Sequence, residues 1–422
     1  MKSFFLFLRS QLQNSISAQI RAFAVRAWSR RKLPIPSRIC QFAPSATLRQ
    51  NHRICAGKRV LQLALSALVP LFSFGAENEN PETSPLSTGE KKGDRGYAYA
   101  DFLWWRADID GTDLATEQIN ETDGIHTDKK VIGLEGKWEP GLRVGVGYRR
   151  LDEWDVRATW TRFYGKSEEE SKTANDPSAH FLRQQWISFL GPIVLSAAGH
   201  WDLQLNIADF ELARLSPITQ KISLRPHIGA RGAWIDLDYR AHYQGFWRGI
   251  SSVGAPVSLT QNTSFQGSSD FQAGGLRVGS GLFWKLSPQW GLFADFSASL
   301  VYGQFKIREK FSGADPDQIG PALSPVVETY NDKISRVRAN LETFLGLQWR
   351  RNFRQNRCAL SFFAGYELSE WLQFNQLFEV IRAIDLFLLP DGSSANNANF
   401  TNNFMNGDLG LQGLTVRGTL QF

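Results

Sequence analysis

The sequence predicts an all-β fold, a single antiparallel transmembrane β-barrel of about 10–16 strands that follows a cleaved N-terminal leader. Three observations predict it. Apolar and polar residues alternate with period two through most of the chain after residue 94. The apolar stretches end in Trp or Tyr, and the last nine residues alternate up to a terminal Phe422.

The first element is the leader, residues 1–76. It contains no Asp or Glu and twelve basic residues, from Lys2 to Arg59; the first acid is Glu77. Residues 60–74 form an apolar run of fifteen behind Lys58 and Arg59, and Ser73 and Gly75 supply small residues at the −3 and −1 positions of a cleavage site. That is the layout of a signal peptide over about 58–76. The basic extension 1–57 reads as a transit-like segment or as sequence upstream of a misplaced start, and we favour the misplaced start. A polar linker, 77–94, leads to the barrel, 95–422.

Removing the leader reverses the charge argument. The whole chain carries 47 Lys+Arg against 41 Asp+Glu, but without the twelve leader bases the balance is 35 against 41. The basic character belongs to the leader, so nothing favours a nucleic-acid partner. Cys40 and Cys55 also lie in the leader, and Cys358 is left alone.

After residue 76 no run of eighteen apolar residues occurs, so the sequence offers no transmembrane helix. Strands follow one another instead. Leu142, Val144, Val146 and Tyr148 share a face opposite Gly141, Arg143, Gly145 and Gly147. Trp154, Val156, Ala158 and Trp160 oppose Asp155, Arg157 and Thr159, which makes the pair a hairpin. Further along come Trp201, Leu203, Leu205 and Ile207 against Asp202, Gln204 and Asn206, then Leu224, Ile228 and Trp234 against Arg225, His227 and Arg231. Leu276, Val278, Leu282 and Trp284 oppose Arg277 and Lys285. The series from Trp290 to Tyr302, that from Val337 to Trp349 and that from Leu360 to Leu368 complete the pattern. The apolar faces are assigned to lipid and their terminal Trp and Tyr, Trp201 among them, to the interfacial girdles. The polar faces are assigned to a wet lumen. Longer polar stretches at 166–180, 249–270, 312–333 and 391–408 read as loops, including the Asn-rich run 393–406. The last alternating segment, ending in Phe422, has the form that barrel-insertion machinery reads.

A search for chemistry predicts no catalytic, cofactor or metal residues. There is no His-Glu-x-x-His, Gly-x-Ser-x-Gly or phosphate-binding glycine loop. His126, His180, His200, His227 and His242 are scattered without ligand spacing. Asp108, Asp110 and Asp113 begin like a calcium loop but lack its turn Gly and closing Glu, so they read as a turn.

The lumen faces carry the functional expectation. Arg143, Arg157, Arg225, Arg231, Arg277, Lys285, Arg338, Arg350 and Arg417 are the candidate lining, against the acids Asp155, Asp202, Asp295, Glu342 and Glu367. An excess of cations in a confined aqueous channel favours anions. The alternative is that these Arg pair with lumen or loop carboxylates. The expected function is a porin passing small hydrophilic solutes. A non-conducting adhesin or structural barrel would share every fold feature, with a lumen plugged by a folded loop as its mark. An outer-membrane lipase is the weaker rival. The expected partners are outer-membrane lipid, the insertion machinery at Phe422, small hydrophilic solutes and further copies of the chain.

Several segments resemble a known family. Asp101, Phe102, Leu103, Trp104 and Trp105 with Gly111, the stretch from Pro140 to Tyr148, and Trp154, Asp155 and Val156 with Trp160 are similar to the opening strands of the pore-forming major-outer-membrane-protein-like family of chlamydia-related and legionella-type bacteria. The stretch from Leu224 to Asp236 resembles its central signature. The stretch from Ser299 to Phe305, and Gly365, Tyr366, Glu367, Trp371, Asn375 and Gln376, resemble its later ones. The resemblance covers roughly 95–422 and implies an outer-membrane diffusion pore. It departs from the cysteine-rich chlamydial members in having Cys358 alone, which counts against a disulfide-linked envelope role.

Overall fold

Period-two alternation in β-branched and aromatic residues gives strands, and the strands here pair with their sequence neighbours through tight polar turns. The structure, a computed structural model, describes residues 95–120, 127–150, 153–174, 180–188, 193–250, 256–314, 325–353, 358–388 and 394–422. The leader and the linker lie outside these residues. Among the described residues there is no helix.

Ten strands form a closed ring. They are β1 (Arg95–Ile109), β2 (Trp138–Arg149), β3 (Trp154–Lys166), β4 (Ile193–Arg214), β5 (Ile222–Ile250), β6 (Pro256–Lys285), β7 (Trp290–Ala314), β8 (Pro325–Phe353), β9 (Cys358–Trp371) and β10 (Leu409–Gln421). Each pairs antiparallel with the next, and β10 pairs back onto β1. Ten is the lower end of the expected range.

Register carried once around the ring returns to β4 twelve residues from its start, at Asp202 rather than Arg214. With standard strand spacing, that stagger tilts the strands by about 40° and sets a backbone diameter of about 20 Å. The lipid-facing series from Trp290 to Tyr302 then rises about 30 Å, enough to cross an apolar band of about 25 Å.

At one end the strands are joined by short turns. In the β2–β3 turn Arg150 N donates to Trp154 O at 2.8 Å, with Glu153 in the left-handed region at φ 71°. In the β6–β7 turn Ser287 Oγ accepts from Trp290 N at 3.1 Å. At the other end β5 to β8 run far beyond the lipid-facing band, reaching 29, 30, 25 and 29 residues. Parts of the stretches 249–270 and 312–333, expected as loops, are therefore strand. The Asn-rich run is strand as well, Ser394–Phe404 pairing with Phe378–Leu388. Backbone pairing overrides composition here. Short segments at this end (Ala115–Asn120, Thr127–Ile132, Glu170–Thr173 and His180–Gln184) pair with one another and onto β4.

On β4, β5 and β7 polarity inverts along the strand with no shift of register at the changeover itself. On β5, Leu224, Ile228 and Trp234 point outward and Arg225, His227 and Arg231 inward. Two residues beyond Trp234 the outward positions become Asp236, Asp238 and Arg240, and the inward ones Ile235, Leu237 and Tyr239. The assignment of Trp201, Leu203, Leu205 and Ile207 to lipid is thus corrected. They lie on the stretch of β4 beyond the band, are buried inside, and leave Asp202 outside. Trp201 is a core residue and not a girdle residue.

Candidate functional site

The lumen has three levels, and the sequence-predicted residues fall mainly in the middle one. Arg143, Arg157, Arg225, Arg231, Arg277 and Arg417 all point inward from β2, β3, β5, β6 and β10 and meet six carboxylates: Asp101, Asp155, Asp209, Glu211, Glu342 and Glu367. Arg143 Nη2 donates to Glu367 Oε1 at 2.8 Å, from β2 to β9, across two intervening strands. Arg231 of β5 grips Asp209 through Nε at 2.7 Å and Nη2 at 2.8 Å, and donates through Nη1 to Glu342 of β8 at 2.7 Å. Arg277 joins Glu211 at 3.1 Å and also contacts Glu342. Arg417 holds Asp101 through Nε and Nη2 at 2.7 and 2.8 Å.

These contacts span chords of the ring, so the wall's own side chains fill the section. The space left among them is a cavity of ≈ 60 Å³. Fork-to-carboxylate pairs of this kind are the strong class of hydrogen bond. Six guanidinium groups meet six carboxylates, and Asp295 lines the same space, so the expected cationic ring is balanced by wall carboxylates.

Asp101, Asp209 and Glu211 were missed in sequence. On β4 the inward parity reads Trp201, Leu203, Leu205, Ile207, Asp209, Glu211, and an apolar start disguises the two acids as outward. The signal available was the simultaneous change on the other face, from Asp202 and Gln204 to Phe210 and Leu212.

The remaining predicted residues lie apart from the layer. Arg338 points inward, buried, stacked over the Phe305 ring at 5.1 Å and donating to Val337 O. Lys285 and Arg350 line the mouth at the short-turn end, a cavity of ≈ 680 Å³. There Tyr97 and Tyr99 lie across Gly147 and Gly145 on the neighbouring strand. A Cβ at either glycine would sit 2.2 or 2.3 Å from a tyrosine ring, so these positions require Gly. His227 is buried with neither ring nitrogen hydrogen-bonded among the described residues, and His180 binds Glu117. No group of metal-ligating side chains occurs among the described residues.

Above the ionic layer the lumen is apolar. Phe271, Phe305 and Phe374 cluster with centroids 4.2 to 5.8 Å apart, and Trp186 packs on Tyr239 and Phe265 at 4.6 and 4.7 Å. Leu114, Trp186, Phe374 and Leu377 come from the connections and not from the wall, so the connections fold inward. Polar anchors fix them. Tyr243 OH donates to Leu114 O at 2.8 Å and Trp186 Nε1 to Asp113 O at 3.1 Å. Asn375 Nδ2 donates to Asp110 O at 3.0 Å, and Gln376 is buried beside it. At the edge of this plug, burial opposes the charge on Glu117. His180 and Lys172, at 2.7 and 3.2 Å, outweigh it and hold the carboxyl below its usual range.

A family model described as the Legionella pneumophila major outer membrane protein precursor matches residues 97–422, the whole ring but for the first two residues of β1. The chain belongs to that family. Its place is the outer membrane, and the resemblance read from the strand motifs is to the same group. No curated protein matches. Among solved structures, the outer membrane protease OmpT of Escherichia coli is similar at 8% identity and TM-score 0.31, covering 78% of this chain and 96% of that one. A FadL homologue of Pseudomonas aeruginosa is similar at 9% and 0.23, covering 78% and 90%. The Pseudomonas putida toluene transporter TodX is similar at 8% and 0.22, covering 79% and 90%. Likenesses this distant transfer no activity to the family member described here.

Proposed function

We propose that this protein is a structural outer-membrane barrel, closed in its resting state, that raises a rigid, water-facing platform above the membrane. One observation carries the reading. The lumen is crossed by a layer of paired charges and capped by connections folded into it, which is the arrangement expected of a non-conducting barrel. Opening a path would break pairs such as Arg143–Glu367 and Arg231–Glu342, each a loss of about 3–5 kcal/mol if one partner is left buried alone. We assign the protein no catalytic step.

The test is planar-bilayer conductance of the folded, heat-modifiable protein. Silence, or rare brief openings, is expected; steady, long-lived ohmic steps would overturn the closed reading.

A second reading, passive diffusion of small hydrophilic solutes with a preference for anions, is favoured by the cationic mouth that Lys285 and Arg350 help to line. Steady conductance with an anion-selective reversal potential selects it over the first.

A further inference from the structure

We propose that the mouth at the short-turn end is a binding site for a small aromatic phosphate. In barrels of this kind short turns face the periplasm, so the site opens inward to the cell. It goes beyond the closed-barrel reading and does not depend on it, because binding at the mouth requires no passage.

The cavity measures ≈ 680 Å³, within the range of small-molecule sites. Its floor has more donors than acceptors. Asp155 accepts from Arg225 Nε at 2.9 Å and Tyr97 OH at 2.8 Å, with Arg149 Nη2 at 3.7 Å. Glu211, just behind, is shared by Arg157, Arg277 and Arg225 at 2.5, 3.1 and 3.6 Å. Asp155 and Glu211 thus serve Arg149, Arg157 and Arg225, while Arg277 divides between Glu211 and Glu342. The shortfall is visible in the atoms: Arg225 Nη2 and Arg149 Nε are buried with no hydrogen-bond partner among the described residues, and both residues line the cavity. A buried donor without an acceptor costs about 1–3 kcal/mol, more when charged. Two such donors beside one cavity are offset by an anion. Lys285 stands at the rim, exposed and in no ion pair among the described residues.

A phosphate monoester suits these donors better than a single carboxylate. It brings three acceptor oxygens and close to two negative charges, and guanidinium groups bind it in fork geometry. The walls specify the rest of the molecule. Tyr97 and Tyr99 stack at 6.5 Å, and Phe293 meets Phe363 edge-on at 5.7 Å. Together with Phe283 they offer ring faces to a flat apolar group beside the charged floor.

The experiment is a calorimetric titration of the folded full-length protein in zwitterionic detergent with phenyl phosphate, with inorganic phosphate and phenol as comparators. Saturable one-to-one binding is expected, tighter for phenyl phosphate than for either comparator and weakened by added salt. Lys285→Glu lies outside the paired layer, so the barrel should stay heat-modifiable while affinity falls about tenfold. Absence of saturable binding by heat-modifiable protein would overturn the site. Equal affinity of Lys285→Glu and the parent would overturn the role of the charged mouth. Phenol or inorganic phosphate binding as tightly as phenyl phosphate would overturn the assignment of an aromatic phosphate. A silent bilayer leaves all of these outcomes readable, so this proposal and the closed-barrel reading fail separately.

Discussion

Below Trp234, β5 turns Leu224 and Ile228 outward and buries Arg225 and Arg231; above it the same strand turns Asp236 and Asp238 outward and buries Ile235, Leu237 and Tyr239. Neighbouring strands change over at the same level, β7 between Tyr302 and Gln304 and β4 between Ile207 and Asp209. At the changeover neither the pairing nor the side-chain parity breaks. Only the solvent outside the wall changes. Where lipid surrounds the ring, apolar residues face out and the polar ones must satisfy each other inside. Where water surrounds it, the ring packs like an ordinary soluble domain around an aromatic core. A single continuous sheet therefore holds two proteins' worth of folding logic, joined at a ring of Trp and Tyr.

The largest expected effect comes from breaking the ionic interior of the lipid half. Glu211→Ala leaves Arg157 without its carboxylate and removes one of the two carboxylates closest to Arg277, and unfolding in urea should show a loss of about 3–5 kcal/mol. The core of the water half should be nearly as sensitive to a cavity. Phe305→Ala, at a fully buried ring stacked 4.2 Å from Phe271, should cost about 3–5 kcal/mol in the same assay. Equal tolerance at Phe305 and at lipid-facing Phe296 would break the comparison between the halves.

The outer surface provides a sharper test on one strand face. Leu276→Arg should cost about 2–4 kcal/mol where the wall meets lipid, whereas Gln272→Arg, four residues along β6 on the same face, should be close to neutral. Similar costs at the two positions would mean that the membrane boundary lies elsewhere. The smallest effect concerns the plug. Because the Glu117 carboxyl is held below its usual range, its pairing stabilises the plug fully above about pH 4.3, the unfolded value. That contribution is lost as pH falls through the lower folded value. Protease sensitivity of the connections should rise on acidification, and Glu117→Gln should remove that pH dependence.

Much of the lipid half is legible in the sequence. The alternation around Arg143, Arg157, Arg225 and Arg277 assigns their inward faces, because Arg facing lipid is too costly to be tolerated six times over. The water half is not legible in the same way. Trp201, Leu203, Leu205 and Ile207 alternate as any membrane strand would, and period two alone does not say which solvent lies outside. The pairing of the lining depends on that inversion, since Asp209 and Glu211 share parity with Ile207. The extent of β6 and β8 beyond the membrane escapes composition altogether, because polar ribbons such as the one ending at Phe404 carry no apolar face to mark them. The inward-folded connections rest on contacts between residues far apart in sequence, such as Tyr243 with Leu114 and Asn375 with Asp110.

The ring is fastened between its first and last strands. Phe422 N donates to Gly96 O at 3.0 Å, and Trp105 Nε1 reaches Thr415 Oγ1 across 310 positions of sequence. A chain emerging from its N-terminus therefore holds the matching edge of β1 unpaired until the final thirteen residues arrive. Those same residues bring Arg417, so until then Asp101 faces the lumen with Arg143 as its guanidinium partner among the described residues. Assembly is thus clasped late, by a segment that completes a zipper and settles a charge in one event. A copy shortened at its C-terminus would keep nine strands of correct pattern and still be an open, adhesive sheet.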